Sequence, residues 1–498
     1  MCRYIRLFIV FIYVLGSHVL SAQTYNEYKQ QKKEELSTFK SQREKEFSDY
    51  RSELNAQFAD YLRQTWSQYC AHSSPDKPQK EPHVPPVVLP YLDENVDIPD
   101  EEIKVPDIQL ELASDVQHIP LMPKPSEKLT LVKDVIHISF FGTECALRFD
   151  GDMKILLEGC SEDDVADMWE KLSSSYVYDS LFEDCIAVKE NLNLSDWGYY
   201  KFIQSVANQI YRAQSNESIV LITYLMSNSG YKLRMGRLDK NVLCVLLGVE
   251  DGIYGCLSVT VDGEVFYLVD IKECSTVYVM KTGFPNEKGI SLALNSQQRF
   301  SYSPMESRLL RSTAYRDVSV SVRSNKNVMD FYNTYPHPYN KKEHGASWVY
   351  YANAPLDQEV QSELYPVLRA AISGKSQKTA ANILLNFVQT AFEYKTDNEY
   401  WGYERPLFSS ETLCYPYSDC GDRSILYSRL IRDLIGLDVV FLHYEGHLAT
   451  AVAFDEDITG EYVKINGRKY LVCDPTYINA SIGMEMPDLK LLKVIKIN

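Results

Sequence analysis

Beyond residue 22 no apolar run is long enough and free enough of charge to cross a membrane. The cysteines include no CxxC pair, and no basic stripe offsets a formal charge of −17. The first absence argues against a chain that spans the bilayer repeatedly. The second, with the cysteines' scatter, argues against the dense crosslinking of small stapled domains. The third argues against a nucleic-acid or anionic-membrane surface. What the chain does have is the composition of a folded protein, with 45% hydrophobic residues and 36 tyrosines. At 498 residues it is too long for one core, so two or three domains with connecting segments are expected.

Residues 1–22 read as a signal peptide: Arg3 and Arg6 supply a basic start, "LFIVFIYVLG" an apolar centre, and "HVLSAQ" small residues before a cut near Ala22. The chain is therefore expected to be exported (periplasmic, cell-surface or secreted), with no membrane span after cleavage. In residues 23–72, Tyr25, Leu36, Phe47, Phe58 and Tyr69 recur every eleven positions, as do Tyr28, Phe39, Tyr50 and Tyr61. That repeat is about 3.67 residues per turn and predicts one long helix with a nearly straight apolar stripe. The stripe needs a partner, which is either another copy in a homo-oligomer through residues 25–69 or the body of the chain itself.

Residues 73–127 form a Pro-rich, acidic linker, predicted to be an extended tether with few buried contacts. Residues 128–295 place helices (164–174, 195–212, 217–229) before strands (231–236, 242–247, 256–262, 264–271). Residues 296–356 read as a β-rich connection. Residues 357–498 mix helices (357–373, 377–394, 420–435) with later strands. The predicted class is α+β.

The stretch "YSDCGDRSILYSRLIRDLIG", residues 417–436, sets a cysteine in the first turn of an apolar helix. Asp419 suits the N-cap, Asp422 suits the third helical position, and Gly436 is a stop. A first-turn thiolate gains from the helix dipole. Next, "LDVVFLHYEGHLATAVAFDE" alternates as two strands around a turn, the second opening on His447. "EYVKINGRKYLVCDPTY" is a hairpin on Asn466-Gly467 whose returning strand ends at Asp474. Each type suits nucleophilic catalysis: the thiol attacks, the imidazole carries its proton, and the carboxylate fixes the imidazole tautomer. Backbone N–H groups of the helix start, that of Cys420 foremost, suit an oxyanion. Trp401, Gln389 and Tyr417 are candidates for a second donor. Singly, each has a plainer reading: a structural cysteine, a satisfied sheet histidine, an aspartate in a turn before proline. A zinc site from Cys414, Cys420, His443 and His447 competes, but the cysteine spacing is too wide and a helix intervenes.

The set "SDCGDRSILYSRLIRDLIGLDVVFL…EGHLATAV…YLVCDPTY" resembles the transglutaminase-like domain of the papain-like cysteine superfamily over roughly residues 357–487. The resemblance implies a catalytic triad of Cys420, His447 and Asp474, acyl-enzyme chemistry on protein or peptide amides, and no cofactor or metal. Gly421 stands where many relatives carry a larger residue. Residues 216–247 repeat the layout, with Asn241 where His447 stands, Gln214 near the place of Cys420, and Asp270 ending "VFYLVD" as Asp474 ends "KYLVCD". The middle domain is thus expected to be a diverged transglutaminase-like copy emptied of nucleophile and base. The functional expectation is hydrolysis or acyl transfer at a protein or peptide amide; the rival is a non-catalytic envelope or surface scaffold with a relic triad.

Overall fold

Twice along the chain an apolar helix ends on a left-handed glycine and feeds an antiparallel sheet. In the first unit, helices α1 (Asp196–Ile210) and α2 (Asn216–Asn228) precede strands β1 (Leu233–Arg237), β2 (Leu243–Gly248), β3 (Leu257–Val261), β4 (Glu264–Leu268) and β5 (Thr276–Val279). In the second, α3 (Gln377–Thr390) and α4 (Cys420–Leu434) precede β6 (Val439–Tyr444), β7 (His447–Val452), β8 (Glu461–Ile465), β9 (Arg468–Cys473) and β10 (Leu491–Lys496). Neighbouring strands run β5-β1-β2-β4-β3 in the first sheet and β10-β6-β7-β9-β8 in the second. The two orders are the same. The class is α+β.

This computed structural model describes residues 29–33, 38, 42, 49–74, 84–90, 98–104, 132, 134–238, 241–339 and 347–497. The expected signal peptide, the start of the aromatic stripe and much of the linker lie outside them. Among the described residues no helix is long and apolar enough to cross a membrane.

Local chemistry explains the repeated turn. Gly230 and Gly436 have φ of +81° and +79° just past the ends of α2 and α4, a conformation that costs glycine nothing. Asn466 and Gly467, both at positive φ, make the tight turn between β8 and β9. Inner faces of both sheets share one continuous core with the helices, and each outer face has its own apolar cluster.

Upstream segments attach to both sheets. Residues 49–62 are helical, and Phe58 buries itself against Trp169 and Phe284, both at 4.5 Å between ring centroids. Within the described stripe Phe58 and Tyr61 pack on the body of the chain, whereas Tyr50 is exposed. The helix stops short of residue 72 because Ser67–Cys70 pairs with β5 and His72–Ser73 with β3, which gives those backbones sheet partners. The linker also differs from a bare tether: Glu101–Glu102 lies parallel to β8, and Val84–Leu89 hydrogen-bonds along the second unit. Extended main chain of this kind suits sheet edges.

Residues 296–356 are less β-rich than expected. One hairpin, Arg308–Arg311 with Ser319–Val322, is followed by helices Lys326–Tyr332 and Trp348–Asn353. Asn325 caps the first of these, and its aromatic face packs inward. Helix Tyr176–Asn191 was not foreseen; its apolar residues are diluted by acidic ones, which blurs the period.

Candidate functional site

Helix α4 starts as the capping pattern requires. The Asp419 carboxylate accepts the Asp422 N–H at 3.0 Å, and the Asp422 carboxylate accepts the Asp419 N–H at 3.2 Å. Asp422 also accepts the Leu407 N–H at 2.9 Å, so it is a cap bonded to its surroundings. Cys420 is the first helical residue.

His447 opens β7 and Asp474 follows the end of β9. These strands are antiparallel neighbours, with Thr450 opposite Cys473, so the start of one meets the end of the other. His447 Nε2 lies 2.8 Å from Asp474 Oδ2. The other carboxylate oxygen accepts the N–H groups of Thr476 and Tyr477 at 2.8 and 3.2 Å. A carboxylate at Nε2 favours the proton there and leaves Nδ1 as the basic nitrogen. That Nδ1 is buried and has no hydrogen-bond partner among the described residues.

The thiol is held at the start of β7. The Leu448 backbone, one residue past His447, holds a hydrogen bond to the Cys420 thiol. Ser424 Oγ donates to the Leu448 carbonyl at 2.8 Å, which fastens α4 to the start of β7. Burial, then the Asp419 carboxylate, pushes the Cys420 thiol well above its ordinary range. Cys420, His447 and Asp474 are 3%, 2% and 2% exposed, so the site is closed.

The surrounding shell is polar and largely satisfied. Gln389 Nε2, from α3, donates to the carbonyls of Asp474, Tyr477 and Ala480 at 3.0, 2.8 and 3.1 Å, and its Oε1 accepts the Asn479 N–H at 3.2 Å. Gln389 holds the loop after Asp474 and has no hydrogen left for an oxyanion. The buried Arg423 guanidinium donates to Ser418 Oγ and to the carbonyls of Gln389 and Phe392; burial pulls it down to about 10. Trp401 stacks on Arg405 and Tyr417 lies beneath Lys395. The sequence missed Trp348. A Cβ on Gly421 would lie 3.6 Å from its indole nitrogen, which puts an N–H donor next to the helix turn that carries Cys420. Its flank, "SWVYYAN", lies in the stretch 296–356 that reads as a β-rich connection, far upstream of the motif, and gives no signal.

Cys414 meets the sulfur of Met305 at 3.5 Å, and the His443 ring packs on Trp348. The zinc arrangement is not assembled. Among the described residues the three side chains that could reach one ion are Asp397, Glu404 and Asp419, with no cysteine or histidine. None of the ten described cysteines is in a disulfide. In the first unit, Gln214 precedes α2, and the carbonyl of Asn241 accepts from Asn216 Nδ2 at 2.9 Å. Asp270 accepts from Tyr200 and Gln204 at 2.9 and 2.7 Å. Gln214 and Asn241 themselves carry neither a nucleophile nor a base, and the thiol nearest Asn241 is that of Cys160, which accepts from Asn216 Nδ2 at 3.0 Å. No family model, curated protein or solved structure matches this chain.

Proposed function

We propose that the protein is an exported transglutaminase-like cysteine enzyme acting on amide bonds of a protein or peptide, with residues 357–498 as its catalytic domain and residues 128–295 as an emptied copy. One observation carries the reading: a buried imidazole is bonded to Asp474 through Nε2 with Nδ1 open, and the thiol at the start of α4 meets the backbone of Leu448, the next residue along. The identical strand order of the two sheets supports the duplication.

The chemistry follows from the residue types. The Cys420 proton passes to His447 Nδ1 as sulfur attacks the amide carbonyl carbon. Helix-start N–H groups and the Trp348 indole face the oxyanion. The C–N bond breaks, the amine leaves with the proton from His447, and a thioester remains. Water, or a second amine, attacks the thioester after giving its proton to His447, and the thiol is regenerated. Hydrolysis is favoured because water always reaches a site outside the cell.

The test measures amine or ammonia release from peptide amides and incorporation of a labelled primary amine into protein. Cys420→Ala and His447→Ala abolish both, whereas Cys473→Ala keeps them. The near-complete burial of the triad favours a second reading, a scaffold with a relic site. That reading stands if the native chain and Cys420→Ala are indistinguishable in both assays.

A further inference from the structure

The triad is closed, so any polypeptide that reaches Cys420 must first displace a covering element. One segment lies across this end of the sheet in an extended form. The Val84 N–H donates to the carbonyl of Gly446, the residue before His447, at 3.1 Å. Further along, the Ile478 N–H donates to the Val87 carbonyl at 2.8 Å and the Leu89 N–H to the Ile478 carbonyl at 3.0 Å. Asn479 Nδ2 donates to the Leu89 carbonyl at 2.8 Å. The segment therefore runs from the turn that presents His447 to the loop that follows Asp474. Tyr394 also reaches the segment: its hydroxyl donates to the Val84 carbonyl at 3.5 Å.

From this we infer that the channel between Gly446 and Ile478–Asn479 is a polypeptide-binding groove, filled in the resting chain by Val84–Leu89 as an internal occupant. The groove recognises main chain by strand-like hydrogen bonds and takes apolar side chains at Val84, Val87 and Leu89, which pack on Tyr477, Ala480 and Met486. The substrate class that fits is an extended, apolar segment of a protein. Pro85 and Pro86 have no N–H, so they hold the segment extended without adding bonds. Val88 is 67% exposed, so the segment is bound by one side only. Few bonds and a pre-extended chain make an occupant that a tighter peptide can replace. Naming the guest as substrate rests on the proposed acyl chemistry; the groove itself does not.

The experiment uses the full chain and the variant Val87→Asp/Leu89→Asp at pH 8.5. Iodoacetamide labelling is read by mass spectrometry at Cys420, with half-buried Cys256 as reference and buried Cys473 as a sentinel of folding. Cys420 labels about tenfold faster or more in the variant, as expected for removal of a local closure, while Cys256 and Cys473 do not change. A synthetic peptide of residues 83–90 then restores protection of Cys420. Unchanged Cys420 labelling with Cys473 still protected overturns the inference, and so does a peptide that gives no protection. Should the double variant expose Cys473, Asn479→Ala removes the bond to Leu89 and is judged by the same two readouts. Labelling needs no turnover, so a groove without catalysis labels and protects as stated yet shows no difference from Cys420→Ala in the amide assays.

Discussion

Asp474 divides its two oxygens between two tasks, with Oδ2 on His447 and Oδ1 on the N–H groups of Thr476 and Tyr477. Asp474→Asn keeps the second task and inverts the first. An amide nitrogen opposite Nε2 forces the imidazole proton to Nδ1, where the thiol needs an acceptor. The expected result is a loss of kcat by about 10³–10⁴ with an unchanged melting temperature. A matching fall in melting temperature would show that the aspartate is structural. Asp357 supplies a second prediction at this scale. It is fully buried, one oxygen accepts the Tyr332 hydroxyl at 3.1 Å, and the other has no partner among the described residues. Burial pushes its carboxyl up to about 7. A raised folded pKa favours the protonated form. The stability it supports is therefore complete below about pH 4 and is lost as pH rises toward 7. Asp357→Asn should raise the melting temperature at pH 8, and the gain should vanish toward pH 4.

Elements that announce themselves locally were legible. The apolar spacing of α4, its acidic cap and Gly436 gave the helix with its cysteine, and Asn466-Gly467 gave the hairpin that delivers Asp474. Each is a contact of a few residues with one another. What stayed hidden depends on distant partners. The Pro-rich run at Val84–Leu89 announced a stiff extended chain but not its docking site, because prolines report backbone angle and say nothing of neighbours. Trp348 gave no sign of approaching Gly421, since its own flank carries no catalytic pattern. Gln389 is one of three candidates from sequence for a second oxyanion donor, whereas its amide binds three carbonyls of the Asp474 loop. Gln389→Ala leaves those carbonyls and the Asn479 N–H unpaired, at a cost of about 1–3 kcal/mol for a buried group. Urea unfolding should show that loss. Labelling of the Asp474 loop by hydrogen exchange should rise more than labelling of α4, because the residue positions the loop and does not touch the thiol.

At the scale of the molecule, the boundary drawn at residue 357 does not divide two cores. The Phe408 ring is enclosed by Tyr332 at 4.3 Å, Tyr351 at 4.7 Å and Tyr335 at 5.1 Å, all upstream of that boundary. Arg405 donates to Asn333 at 2.8 Å, and Arg308 reaches the carbonyls of Tyr415 and Pro416 just before the cysteine. The Glu101–Glu102 strand closes the outer edge at β8. Residues 357–498 produced alone would expose the Phe408 pocket and the backbone at β8, and an exposed apolar edge of this kind invites aggregation. The expected outcome is that this fragment fails to give a cooperative thermal transition, whereas the full chain unfolds in one calorimetric step. Phe408→Ala in the full chain should lower that single transition by the equivalent of about 3–5 kcal/mol. Two resolved transitions in the native chain, or a cooperative fold in the fragment, would mean that the C-terminal unit is autonomous and that the aromatic enclosure of Phe408 is mere contact. A single transition that moves with Phe408 makes the upstream unit part of what holds Cys420 in its helix.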